Sequence, residues 1–134
     1  MSNANDIGKL ILRLVLGSLI LFHGVSKIMQ GPASVLELVA KTGMPESIGY
    51  LVYVGEVLAP LLLIIGLWTR AAALIVVVNM AVAVLLVHTG QIFTLSKTGG
   101  WALELQGMYF FTALAIVFLG AGRFSVSGAS GRFN

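Results

Sequence analysis

Four apolar runs dominate this chain: Ile7–Met29, Ile48–Trp68, Ala71–His88 and Leu103–Gly120. Each is close to the ~17–25 residues that a helix needs to cross ~30 Å of hydrocarbon. Backbone groups in lipid have to be paired within their own segment, so such runs are helices even where valines cluster, as in Ile75–Val78. The expected architecture is all-α: an integral membrane four-helix bundle in one domain. Charged residues make up 10% of the chain and mean hydropathy is +1.01, well away from soluble domains, where ~25% of residues are charged.

The links refine the topology. Gly66-Leu67-Trp68-Thr69-Arg70 is short enough to make the second and third runs a tight hairpin, with Thr69 as the N-cap and Trp68 and Arg70 at the interface. Gly31-Pro32 ends the first run. Ala33–Thr42 then reads as a short interfacial helix, capped by Ser34 and stopped at Gly43. Thr89–Trp101 is a polar, glycine-rich link, and the Gly/Ser-rich segment Ala121–Asn134 reads as a loose tail. The first run lacks a small-residue cleavage site, so it reads as a retained helix. Lys9, Arg13, Arg70, Arg123 and Arg132 fall on one side and Lys27, Lys41 and Lys97 on the other, which favours cytoplasmic termini.

The net charge of +3 does not suggest nucleic acid, because the basic residues never cluster and mostly flank apolar runs. The chain has no cysteine, which excludes disulfides, thiol redox pairs and thiolate metal sites. No metal-ligand set, P-loop or nucleophile elbow is present, and Gly120-Ala121-Gly122 is no dinucleotide fingerprint because no helix follows it.

The chemistry lies in six ionisable residues within or at the ends of the runs: Arg13, His23, Lys27, Glu56, His88 and Glu104. A charge in hydrocarbon costs ~2.5–3.5 kcal/mol on insertion scales, so such groups face one another or a polar cavity. Arg13 and Arg70 read as topology anchors. His23 and Lys27 share one helix face a turn apart. Glu56 lies about 12 Å into the second run by helical rise, at the depth of His23, which makes Lys27–Glu56 a natural pair. His88 ends the third run and Glu104 opens the fourth at the same surface, with Trp101 and Gln106 nearby. Five of the six thus gather in the outer half of the bundle. With neutral histidines they carry one excess negative charge, which burial disfavours, so proton exchange near neutrality is expected of the group. Gly17 and Gly24 share a face that admits a neighbouring helix.

The arrangement resembles the DoxX family of small bacterial four-helix membrane proteins. The resemblance rests on Arg13-Leu14-x-x-Gly17, Phe22-His23-Gly24-x-x-Lys27, Thr42-Gly43-Met44-Pro45, Gly55-Glu56 with Pro60-Leu61-Leu62-Leu63, and Gly66-Leu67-x-Thr69-Arg70-x-Ala72-Ala73. It continues through His88, Gly100–Glu104 and Gly120-x-Gly122-x-x-Ser125. One departure is Ser127, where relatives often carry aspartate. The resemblance implies membrane redox systems: quinone reduction, resistance to quinones and oxidative stress, and complexes with redox enzymes.

The expected function is therefore that of a quinone-handling, oxidoreductase-type subunit of the bacterial inner (cell) membrane, acting with a redox partner. His23, Lys27, Glu56, His88 and Glu104 would serve catalysis, and His23, Lys27, His88 and Trp101 would hold the quinone. Haem between His23 and His88 is the weaker cofactor alternative. The rival function is a non-enzymatic membrane scaffold or assembly and stress-response protein whose polar cluster is structural. A small-solute carrier is disfavoured because nothing within the runs marks a broken helix. Homo-oligomerisation through the glycine faces is a further expectation.

Overall fold

The computed structural model describes residues 3–128, 131, 133 and 134. Among these every regular element is helical and no strand is present. Helix α1 is Asn3–Gln30, α2 Ala33–Ala40, α3 Ala59–Ile65, α4 Thr69–Val87 and α5 Glu104–Leu119. A 3₁₀ segment, Glu46–Leu51, and a π-turn, Val54–Leu58, lead into α3. Three helical stretches, Asn3–Gln30, Glu46–Ile65 and Thr69–Leu86, are long and apolar enough to cross a membrane, and α5 is a shorter apolar helix.

Helix α1 packs on α3, α3 on α4, α4 on α5, and α5 returns to α1, closing a four-membered bundle. The core joins Leu16 and Ile20 of α1, Ala59 and Leu63 of α3, Ala72, Ala73, Val76 and Met80 of α4, and Tyr109, Ala113 and Ile116 of α5. The alanines let helix axes come close, as packing in lipid requires. The glycine face of α1 does the same. A methyl on Gly17 would lie 2.9 Å from the Pro60 carbonyl oxygen, and one on Gly24 would collide with that of Glu56. Outward, every main helix shows large apolar side chains, among them Phe22, Leu85, Phe111 and Phe118. Apolar surface this extensive suits lipid contact.

The second run is not the uniform helix expected. Pro60 has no N–H to give the carbonyl of Glu56, and its ring crowds that carbonyl. The chain widens there into a π-turn, in which the Ala59 N–H bonds the carbonyl of Val54, five residues back.

Three corrections concern the end of the bundle that holds the α3–α4 turn. The last carbonyls of a helix lack intrahelical donors. In α3, Arg13 supplies them: Nε donates to the Leu63 oxygen at 2.9 Å and Nη2 to that of Ile64 at 3.2 Å. Its Nη1 reaches the carbonyls of Ala121 and Phe124 at 2.8 and 2.9 Å. Arg13 is 1% exposed, so it is a buried pin and not an interfacial anchor. Among the described residues no carboxylate is paired with it, and the negative end of the α3 dipole faces its charge.

The tail is correspondingly not loose. The N–H groups of Val126 and Ser127 complete α3 by donating to Ile65 and Gly66. At the start of α4, Thr69 is not the N-cap. Trp68 holds that position in a left-handed conformation, φ 48°, without a side-chain bond. The orphan N–H groups of Arg70 and Ala71 instead donate to the Phe133 carbonyl, and that of Thr69 to Asn134 Oδ1. The short helix expected after Gly31-Pro32 is present as α2, but Pro32 occupies its N-cap with no side-chain bond, so Ser34 does not cap it. Arg132 lies outside the described residues. At position 127 the bond to Gly66 comes from the backbone, so it makes no demand for aspartate there.

Candidate functional site

The π-turn carries Glu56. By widening the helix at Val54–Leu58, it presents a carboxylate that is 4% exposed towards α1. Gly24 lets the two backbones meet, and Lys27, one turn further along the same face of α1, reaches across. Its Nζ lies 2.7 and 2.6 Å from the two oxygens of Glu56, the pair expected from depth alone. The Lys27 side chain is 34% exposed and Glu56 only 5%, so the carboxylate depends on its partner more than the ammonium does. On the other flank Gly55 leaves room for Asn79 of α4, and the Tyr53 hydroxyl donates to the Lys27 carbonyl at 3.3 Å.

A cavity of about 270 Å³ opens beside this pair. His23, Lys27, Glu56, His88, Gln106 and Tyr109 give it polar walls; Ile20, Met80, Ala83 and Leu105 give it apolar ones. The His23 ring stands edge-on to Tyr109, with centroids 6.0 Å apart. His88 Nδ1 is 2.8 Å from Gln91 Oε1, and its Nε2 is a long 3.5 Å from the Gln106 amide nitrogen. One assignment satisfies both contacts: Nδ1–H donates to Gln91 and Nε2 accepts from Gln106.

Four of the five outer residues therefore share one cavity. The fifth, Glu104, does not join them. It is exposed in the first turn of α5, its carboxylate lying against Gly100. The charge argument changes with it. Lys27 and Glu56 balance, so the cavity carries no excess negative charge that would force a proton to be shared. Trp101 also lies elsewhere: its Nε1 donates to the Ile92 carbonyl at 2.7 Å, and its ring packs on Gly107. It lines a second, apolar cavity of about 350 Å³ between α4 and α5. Tyr109 is the polar wall that sequence reasoning missed. Its one signal is its place a turn after Gln106, on the same face of α5.

Comparison with known proteins places the chain in a family. The DoxX family profile matches residues 8–89, which hold four of the six polar cavity residues; Gln106 and Tyr109 lie beyond it on α5. A Haemophilus influenzae protein described only as "Uncharacterized protein" is 35% identical over 114 residues, 83% of this chain and 81% of its own length. A Bacillus subtilis protein named "Putative oxidoreductase CatD" is 28% identical over 87 residues, 65% of this chain and 64% of that protein. No solved structure matches. With the match covering more than half of its length, the chain belongs to the DoxX family.

Proposed function

We propose that the chain is a multi-pass subunit of a redox system in the bacterial inner membrane, and that its polar cavity binds the head group of a quinone reduced together with a partner. The observation that carries this reading is the convergence of Lys27–Glu56, two imidazoles, Gln106 and Tyr109 on one cavity in an otherwise apolar bundle. A bound quinone would accept electrons and protons at its two oxygens. Lys27 would stabilise negative charge developing there, as a preorganised cation does for any oxyanion. His23, at the exposed side of the cavity, would exchange protons with solvent. Gln106, held by His88 through one amide N–H, would orient an oxygen by donating the other. The electrons come from the partner. The name of the Bacillus subtilis relative supports a redox role.

Haem suits these residues less well than a quinone does. Both ring nitrogens of His88 already face glutamine side chains, so ligation would have to displace one of them.

The test is thermal. Ubiquinone or menaquinone analogues should raise the melting temperature in mild detergent, because a ligand selective for the folded state stabilises it by mass action. His23→Ala and His88→Ala should each remove most of that shift while the ligand-free protein keeps its melting temperature within a few degrees. No shift with any quinone, together with wild-type behaviour of both variants under quinone stress, would reject this reading in favour of a scaffold. One observation favours the scaffold: both oxygens of Glu56 are already engaged by Lys27.

The same reading places both termini in the cytoplasm. Arg13, Arg70 and Arg123 all bond at the end of the bundle where the tail docks, while Lys27 lies at the other. Impermeant thiol reagents should fail to label a cysteine introduced at residue 2, or one carried on a short extension added after Asn134, which is itself buried, in intact cells and should label both in inverted vesicles. The opposite pattern would turn the cavity towards the cytoplasm.

A further inference from the structure

The apolar cavity between α4 and α5 is not an isolated gap. Met80 and Gln106 line both it and the polar cavity, so the two adjoin across these side chains. Its other walls are hydrocarbon and aromatic, including Ala81, Val84, Phe110 and Phe111. Gly107 shapes it: a methyl there would lie 2.7 Å from the Trp101 ring, so the missing side chain lets the indole lie over α5. At the rim Leu85 and Phe111 are mostly exposed on the outer surface of the bundle, where the cavity opens sideways.

We infer that this groove holds the hydrocarbon tail of the ligand whose head occupies the polar cavity, so that the site selects prenylated quinones over tailless ones. The inference rests on the quinone reading above and adds to it a ligand class and an orientation. A polar chamber joined at one amide and one thioether to a channel open to lipid matches a molecule with a polar ring and a long apolar chain. Gln106 marks the boundary, since its amide faces His88 on the polar side while its side chain also borders the groove. Entry would be lateral, head first, past Leu85 and Phe111.

The experiment compares 2-methyl-1,4-naphthoquinone with the same ring bearing a short prenyl chain. Dissociation constants are read from quenching of Trp101 in a Trp68→Phe background, which leaves one reporter indole. The full chain is used in nanodiscs. Each dissociation constant is expressed on the concentration of ligand measured in the lipid phase, so partition does not enter the comparison of the two ligands. The prenylated quinone should bind the unfilled protein at least about tenfold tighter, because the chain gains close-packed contacts in the groove that fluid lipid does not give it. Ala81→Phe, which fills the groove away from the polar cavity, should erase that margin and leave the tailless constant unchanged. Val84→Phe should do the same, and tailless binding checks that each variant is folded. Tailless binding without a prenyl margin, or a margin that survives both substitutions, overturns the groove while the head-group reading stands. Failure of both ligands to bind overturns the head-group reading and the groove with it.

Discussion

Arg13→Leu is expected to destabilise the protein by at least about 3 kcal/mol and to free the tail. The substitution removes the donor from four carbonyl oxygens, those of Leu63, Ile64, Ala121 and Phe124, around a site almost closed to solvent. Each buried acceptor left without a donor costs about 1–3 kcal/mol, and part of that is recovered if water enters beside the tail. Arg13→Lys should fall between, because one ammonium cannot reproduce a planar fork that bonds four oxygens. Thermal unfolding in detergent measures the loss, and hydrogen exchange over residues 120–134 measures release of the tail. Unchanged exchange there in Arg13→Leu would show that the guanidinium does not hold the tail.

The second large effect concerns Lys27 and Glu56, and it should be asymmetric. Lys27→Met strands a carboxylate that is almost fully buried, which costs about 3–5 kcal/mol. Glu56→Gln leaves an ammonium that is one-third exposed on a flexible stem and able to reach towards water, so its cost should be clearly smaller. The double variant should be more stable than the sum of the singles implies, with a coupling of at least about 1 kcal/mol. Additive losses, or equal losses from the two single changes, would reject the pair as drawn. The scaffold reading makes the same stability forecast, so the quinone-induced shift in melting temperature remains the measurement that separates the two functions.

The outer cluster was legible because helical spacing alone controls it. His23, Gly24 and Lys27 share a face at any helix orientation, and the depth of Glu56 follows from rise per residue. Glu104 shows where depth stops being enough. It lies at the right level, but as the first residue of α5 it points away from the cavity towards Gly100, a choice set by how the preceding loop enters the helix. The π-turn was hidden although Pro60 was in plain view, because a proline in a helix can kink it, break it or widen it, and packing against Gly24 is part of that outcome. The tail was misread because its Gly/Ser composition argues for freedom. The contrary demand came from unsatisfied backbone groups more than fifty residues earlier in the chain, at the ends of α3 and α4. Thr69 looked like a cap by type, but the donors there are served by Phe133 and Asn134, a pairing no local pattern announces.

That docking sets an order of events during synthesis. Helices α1, α3 and α4 leave the ribosome before the residues that close two of their ends exist. Until residues 120–134 arrive, the α3–α4 turn must keep its open carbonyls and amides in contact with water. The polar cavity needs nothing from that segment: all of its walls lie between Ile20 and Tyr109. The tail thus acts as a latch on the far end of the bundle, and the polar chamber, walled only by α1, α4 with its C-cap His88, α5 and the π-turn, does not depend on whether that latch is closed.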